Sequence, residues 1–104
     1  MTLSTRQPPA DGEPRHIGIL LFDGVEELDA IGPWEVLSSW TSSYPEDGYT
    51  TSTFSTDGLP VTCNKGLVVS PHHSRETVPE MAVLLHPGGD TRALSADQNA
   101  PVAP

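Results

Sequence analysis

Asp29 is the first residue whose type and place can do chemistry. In VEELDAIG it follows Leu28 at the opening of a helical pattern, just after an apolar run that ends in Asp23-Gly24. A carboxylate there lies near the carboxyl end of a strand, where open α/β sheets gather their ligands. With its pKa tuned by burial, such a group moves a proton to or from a reacting centre. The plainer reading is an acid of the first helical turn, favoured by the helix dipole. Gly88 and Gly89 form the second candidate. A glycine pair after an apolar strand lets bare backbone N–H groups approach a ligand and hold developing negative charge. The plainer reading here is an ordinary strand-to-helix turn.

Other chemistry-bearing residues carry weaker signals. Asp23, Glu26, Glu27, Asp29 and Glu35 fall within thirteen positions that contain no basic residue. Clustered carboxylates raise one another's pKa, but no histidine stands at ligand spacing to make a metal site with them. Glu26, Glu27 and Glu35 read as solvated helix acids. His86 faces either the pocket, titrating near neutrality, or the core as a satisfied histidine. His72-His73 reads as a surface pair, since adjacent residues rarely converge on one ion. Cys63 has only Lys65 nearby to lower its pKa and reads as a partly buried, unreactive thiol. Trp34 and Trp40 read as core or interface. No feature asks for a metal or an organic cofactor.

The elements that must position these residues follow from hydrophobic spacing. His16–Phe22 (HIGILLF) is an apolar run suited to a strand buried on both faces. Val25–Trp40 places apolar residues at 25, 28, 31, 34, 37 and 40, an i, i+3 stripe that predicts an amphipathic helix. Gly32-Pro33 predicts a kink in it, or two short helices. Residues 41–48 read as a loop and Tyr49–Thr56 as a strand. Leu59–Cys63 and Gly66–Ser70 read as an edge hairpin, because Pro60 is tolerated only at an edge. Residues 71–80 have room for one short helix. Met81–His86 (MAVLLH) is a second apolar strand, and Asp90 or Thr91 caps a helix over 91–98. The order is that of an α/β parallel sheet with helices on both faces. Residues 1–15, with three prolines and no periodicity, read as a disordered leader, which leaves one domain over 16–104.

Composition narrows the function classes. The chain has 104 residues, 14 Asp+Glu against 5 Lys+Arg, and a net charge of -9. An acidic surface repels phosphate, which excludes nucleic acid as a direct partner. One cysteine excludes an internal disulfide framework. No apolar run approaches the ~20 residues of a membrane span, and the leader lacks the apolar core of a signal peptide. The expected setting is the cytoplasm. Apolar residues make up 36% of the chain, and 9 Gly and 11 Pro add little to bury. That is a thin core, which favours association with another chain.

The block IGILLFDGVEELDAIGPWEVLSSW (17–40), followed by VLLHPGGDTRAL (83–94), resembles the DJ-1/PfpI (ThiJ) superfamily. Within it, LDAIGPWEVL resembles the isonitrile hydratase-like branch, itself similar to the ligand-binding half of some AraC-type regulators. The resemblance implies a flavodoxin-like, class I glutamine amidotransferase-like domain of about twice this length. It also implies a nucleophilic cysteine at a strand-to-helix elbow in the half that follows Pro87-Gly88-Gly89. The chain is then truncated before the elbow, and Cys63 is not at the nucleophile position. Asp29 is implied as the acid that reaches toward that cysteine, and Gly88 and Gly89 as the oxyanion or anion pocket, Gly89 above all. His86 departs from the family's usual apolar residue. A small-molecule substrate, homo-oligomer formation and no cofactor are the implied partners. The expectation is a chain inactive alone, or a ligand-binding, regulatory or associating module of the same family.

Overall fold

A computed structural model describes residues 2–5 and 14–92. Five strands form the main sheet: β1 (Thr2–Thr5), β2 (Arg15–Leu20), β3 (Tyr49–Ser55), β6 (His73–Ser74) and β7 (Met81–His86), in the order β1-β7-β2-β3-β6. Strands β2, β3, β6 and β7 are mutually parallel, and β1 joins the outer edge of β7 antiparallel. The short strands β4 (Val61–Thr62) and β5 (Val68–Val69) make a separate two-stranded ribbon. One helix, α1 (Glu27–Ser43), connects β2 to β3.

The apolar runs account for the centre of this sheet. β2 lies between β3 and β7, so both its edges are paired, and Ile17, Ile19 and Leu20 are all buried. Phe54, paired with Leu20 across β3, is fully enclosed. Burying each such side chain contributes about 1.5–3 kcal/mol. The core continues past the carboxyl end of β2 through Leu21, Phe22 and Val25 to Ala30, and closes under Val61 and Cys63 of the ribbon segment.

Several expectations are corrected. The helix does not divide at Gly32-Pro33; it runs unbroken through Pro33. Pro33 cannot donate to the Asp29 carbonyl, but the turns on either side hold. The Ala30 N–H donates to the Glu26 carbonyl, and the Thr41 hydroxyl bonds the Leu37 carbonyl and Thr51 of β3. The expected stripe is also packed only in part. Its members Leu28 and Ile31 are 74% and 37% exposed, while Ala30 and Thr41 are the buried helical residues. Because the helix begins at Glu27, Val25 is left in the preceding loop and the sheet-facing line passes through Ala30, Leu37 and Thr41. Within the expected leader, Thr2–Thr5 forms β1, and Arg15 already belongs to β2. Segment 71–80 contains a strand rather than a helix: β6 pairs with Phe54 and Ser55, and the His72 N–H donates to the Thr53 carbonyl. The hairpin over 59–70 forms, but as its own ribbon and not as an edge of the main sheet. Among the described residues a single α-helix covers the sheet, not helices on both faces. The helix expected over 91–98 lies outside the described residues beyond Arg92.

His16 gives the fold a pH dependence. Its side chain is buried in β2, with Nδ1 2.6 Å from the Thr50 hydroxyl and Nε2 2.6 Å from the Ser52 hydroxyl. Burial, and secondly the charges of His73 and His72, lower its pKa below the ordinary value. The folded state therefore binds this proton less readily than the unfolded chain. The stability tied to neutral His16 is fully present above about pH 6.5 and is lost as pH falls through the lowered folded value. The thermal midpoint should drop between pH 7 and 5, and His16→Gln should flatten that slope. An equal slope in the variant would refute this role for His16.

Candidate functional site

Strands β2 and β7 are neighbours and parallel, so the loops that leave their carboxyl ends lie side by side. From β2 the chain turns to β3 on one side, while β7 lies on the other. This is a topological switch point, where doubly wound sheets place ligand crevices. The loop after β2 and the segment after β7 are stitched together there. The Glu26 N–H donates to the Gly88 carbonyl at 2.9 Å, and the Asp90 N–H donates to the Gly24 carbonyl at 2.9 Å. Between them Val25 and Gly89 form an isolated antiparallel bridge.

The structure brings the sequence candidates together. Asp29, in the first turn of α1, accepts the Gly88 N–H on Oδ2 at 3.2 Å, across 59 residues of sequence. The Gly88 amide is thus already occupied by the acid. Among the described residues none accepts from the Gly89 N–H. Gly89 is exposed and has φ +140, so its amide is the donor open to a ligand.

Of the remaining acids, Glu35 is exposed on α1, and the other three have structural partners. Asp23 Oδ1 accepts the Thr62 N–H at 2.9 Å, and Glu26 is ion-paired with Lys65. Glu27 Oε2 accepts the Lys65 N–H at 2.9 Å and, more loosely, the Leu67 N–H at 3.4 Å. Burial alone would push the Glu27 carboxyl up, but its own backbone N–H and those of Leu67 and Lys65 hold it below the usual range. Glu26 and Glu27 are therefore not simply solvated helix acids; they clamp the β4–β5 ribbon against the start of α1. The signal was in the sequence: Lys65 is the only Lys or Arg between Arg15 and Arg75, opposite an acid cluster. Beside the turn, hydrogen bonding to Arg92 holds the Asp90 carboxyl down to about 2.

Cys63 is 3% exposed. Burial, and then the charges of Glu27, Asp23 and Glu26, push its thiol pKa up, so it remains a thiol at neutral pH. His86 is buried; its Nδ1 lies 2.9 Å from the Pro87 carbonyl and its ring 5.5 Å from that of Phe22. His72 is exposed, with Nδ1 3.0 Å from the Thr53 N–H and its ring against Trp34, while His73 belongs to β6. No group of three His, Cys, Asp or Glu side chains suited to a metal ion occurs among the described residues, nor a helix long and apolar enough to cross a membrane. An apolar groove of about 450 Å³ lies apart from the Asp29–Gly88 contact, between the middle of α1 (Gly32, Pro33, Val36, Leu37) and Ile17, Val83 and Leu85.

Fold and site together define an α/β protein of flavodoxin-like topology, with an acid and a glycine turn meeting at the switch point. The family model described as the DJ-1/PfpI family matches residues 15–103, and the chain belongs to that family. Among solved structures it is similar to a ThiJ/PfpI family protein from Pseudomonas syringae, with 24% identity and a TM-score of 0.70, over 91% of this chain and 41% of that one. It is similar to a DJ-1 superfamily protein from Agrobacterium tumefaciens, with 26% identity and a TM-score of 0.53, over 74% and 39%. It is also similar to an AraC family transcriptional regulator from Pseudomonas putida, with 20% identity and a TM-score of 0.58, over 74% and 48%. The chain spans less than half the length of each of these structures. No curated protein matches its sequence.

Proposed function

We propose that the switch-point cleft is the binding site for a small electrophile of the isonitrile type. In this reading Asp29 manages the proton and the open Gly89 amide holds developing negative charge, with Gly88 keeping the acid beside it. The observation that supports it most is the Gly88 N–H donated to Asp29 Oδ2 at 3.2 Å, one residue before the exposed Gly89. An N–H aimed at developing charge in a preorganised site is the largest single contribution a backbone makes to such chemistry. The resembled hydratases use a cysteine thiolate to attack the isonitrile carbon, and net addition of water gives an N-substituted formamide. Cys63 does not fit that role, being buried and held as a thiol by burial and the nearby carboxylates. In this reading these residues bind the electrophile and carry out no turnover that depends on Cys63.

Incubation with cyclohexyl isocyanide should give no formamide above the buffer rate. N-cyclohexylformamide, the hydration product, should shift the Gly88 and Gly89 amide resonances more than any others. Turnover abolished by Cys63→Ser would overturn the inactive reading, and unmoved glycine amides would overturn the site. A second reading, a non-enzymatic ligand-binding module, is supported by the regulator among the structural neighbours. It shares the cleft and differs in retaining no turnover even when a thiol is supplied in solution.

A further inference from the structure

The hydrogen bonds of His86 and Asp29 converge on one peptide group. The Pro87 carbonyl and the Gly88 N–H belong to the same planar unit and point in opposite directions. His86 Nδ1 lies 2.9 Å from that carbonyl, and Asp29 Oδ2 lies 3.2 Å from that N–H. A carbonyl can only accept, so Nδ1 carries the ring proton. The result is a chain from the His86 ring through the 87–88 peptide to the Asp29 carboxylate, whose bonds polarise one another. Nε2, at the other side of the ring, is buried and has no partner among the described residues.

From this we infer that His86 is the positioning residue that fixes which side of the 87–88 peptide faces the site. The inference deepens the proposed site and rests on that reading. The need for such a residue comes from glycine. Rotating the 87–88 plane by half a turn changes φ of Gly88, and a residue without Cβ accepts either sign. Gly88 in fact stays outside the positive-φ region. The rotated plane would aim the Pro87 carbonyl at Asp29, setting acceptor against acceptor and removing the donor from the cleft. The Nδ1–H of His86 opposes that rotation from the side where His86 and Pro87 are buried. An apolar residue at 86 would fill the space against Phe22 but would leave the Pro87 carbonyl unheld.

The test uses three variants of the full chain. His86→Phe keeps a ring beside Phe22 and lacks the donor. His86→Asn places an amide N–H near the position of Nδ1. Asp29→Ala removes only the acceptor at the far end. Exchange of the Gly88 amide proton should accelerate about tenfold in His86→Phe, the loss expected for one net hydrogen bond, and return toward wild type in His86→Asn. Unchanged Gly88 exchange in His86→Phe, with acceleration in Asp29→Ala, would overturn the role of His86 and leave the Asp29 site standing. Unchanged exchange in both would overturn the site as well. If His86→Phe does not fold, the wild-type ring decides. Long-range proton–nitrogen spectra at neutral pH should show a protonated Nδ1 and a bare Nε2, and the opposite tautomer would refute the inference.

Discussion

Gly89→Ala should lose about 3 kcal/mol of stability, a drop in thermal midpoint on the order of 15 °C for a domain of this size. Two effects add. The backbone at Gly89 has φ +140, in a region open to almost no residue but glycine. A Cβ there would also stand 2.5 Å from the Gly24 carbonyl oxygen, 2.7 Å from the Glu26 nitrogen and 2.8 Å from the Val25 Cα. All three are backbone atoms of the loop that Gly89 bridges, so none can move aside without breaking the stitch between β2 and β7. Gly48→Ala is the control. It also has positive φ, +82, but nothing within 4 Å of its added Cβ, so it should lose only the left-handed cost of about 1–2 kcal/mol. Chemical denaturation of the two variants separates close approach from backbone conformation. Equal losses would show that the Val25–Gly89 bridge is not a tight contact.

Much of this architecture is legible in the sequence because it depends on short, strong patterns. HIGILLF and MAVLLH are apolar without alternation, and the structure makes them two of the three inner strands, β2 and β7. The loop after β2 and the Pro87-Gly88-Gly89 segment then fall at the same end of the sheet, which suffices to bring Asp29 near Gly88. Local pattern failed where tertiary partners decide. The apolar spacing at 28, 31 and 34 is genuine, but the helix presents Ala30 and Thr41 to the sheet. Small residues there let α1 lie close to β3, and no hydropathy period reports that. Pro33 carries a strong local signal for a break, yet the packing of Thr41 against Thr51 holds the helix beyond it. Segment 71–80 has no strand signature, and β6 exists because the backbone of Thr53 and Phe54 offers partners. The split use of the two glycine amides was also hidden. Which N–H meets Asp29 and which stays open depends on peptide-plane orientation, a property of the fold and not of residue type.

The most direct measurement of the central claim compares the Gly88 amide proton in wild type and in Asp29→Asn at one neutral pH. An N–H donated to a carboxylate is bound more strongly than one donated to a neutral amide oxygen, so its proton resonance lies further downfield. Because Asp29 Oδ2 accepts the Gly88 N–H, Gly88 should move upfield in Asp29→Asn far more than any amide of the β4–β5 ribbon, which Asp23 and Glu27 hold. That outcome would establish that the acid of α1 and the amide beyond β7 share one cleft. A Gly88 resonance at the same position in both proteins, or one that moves no more than those of the ribbon, would contradict it.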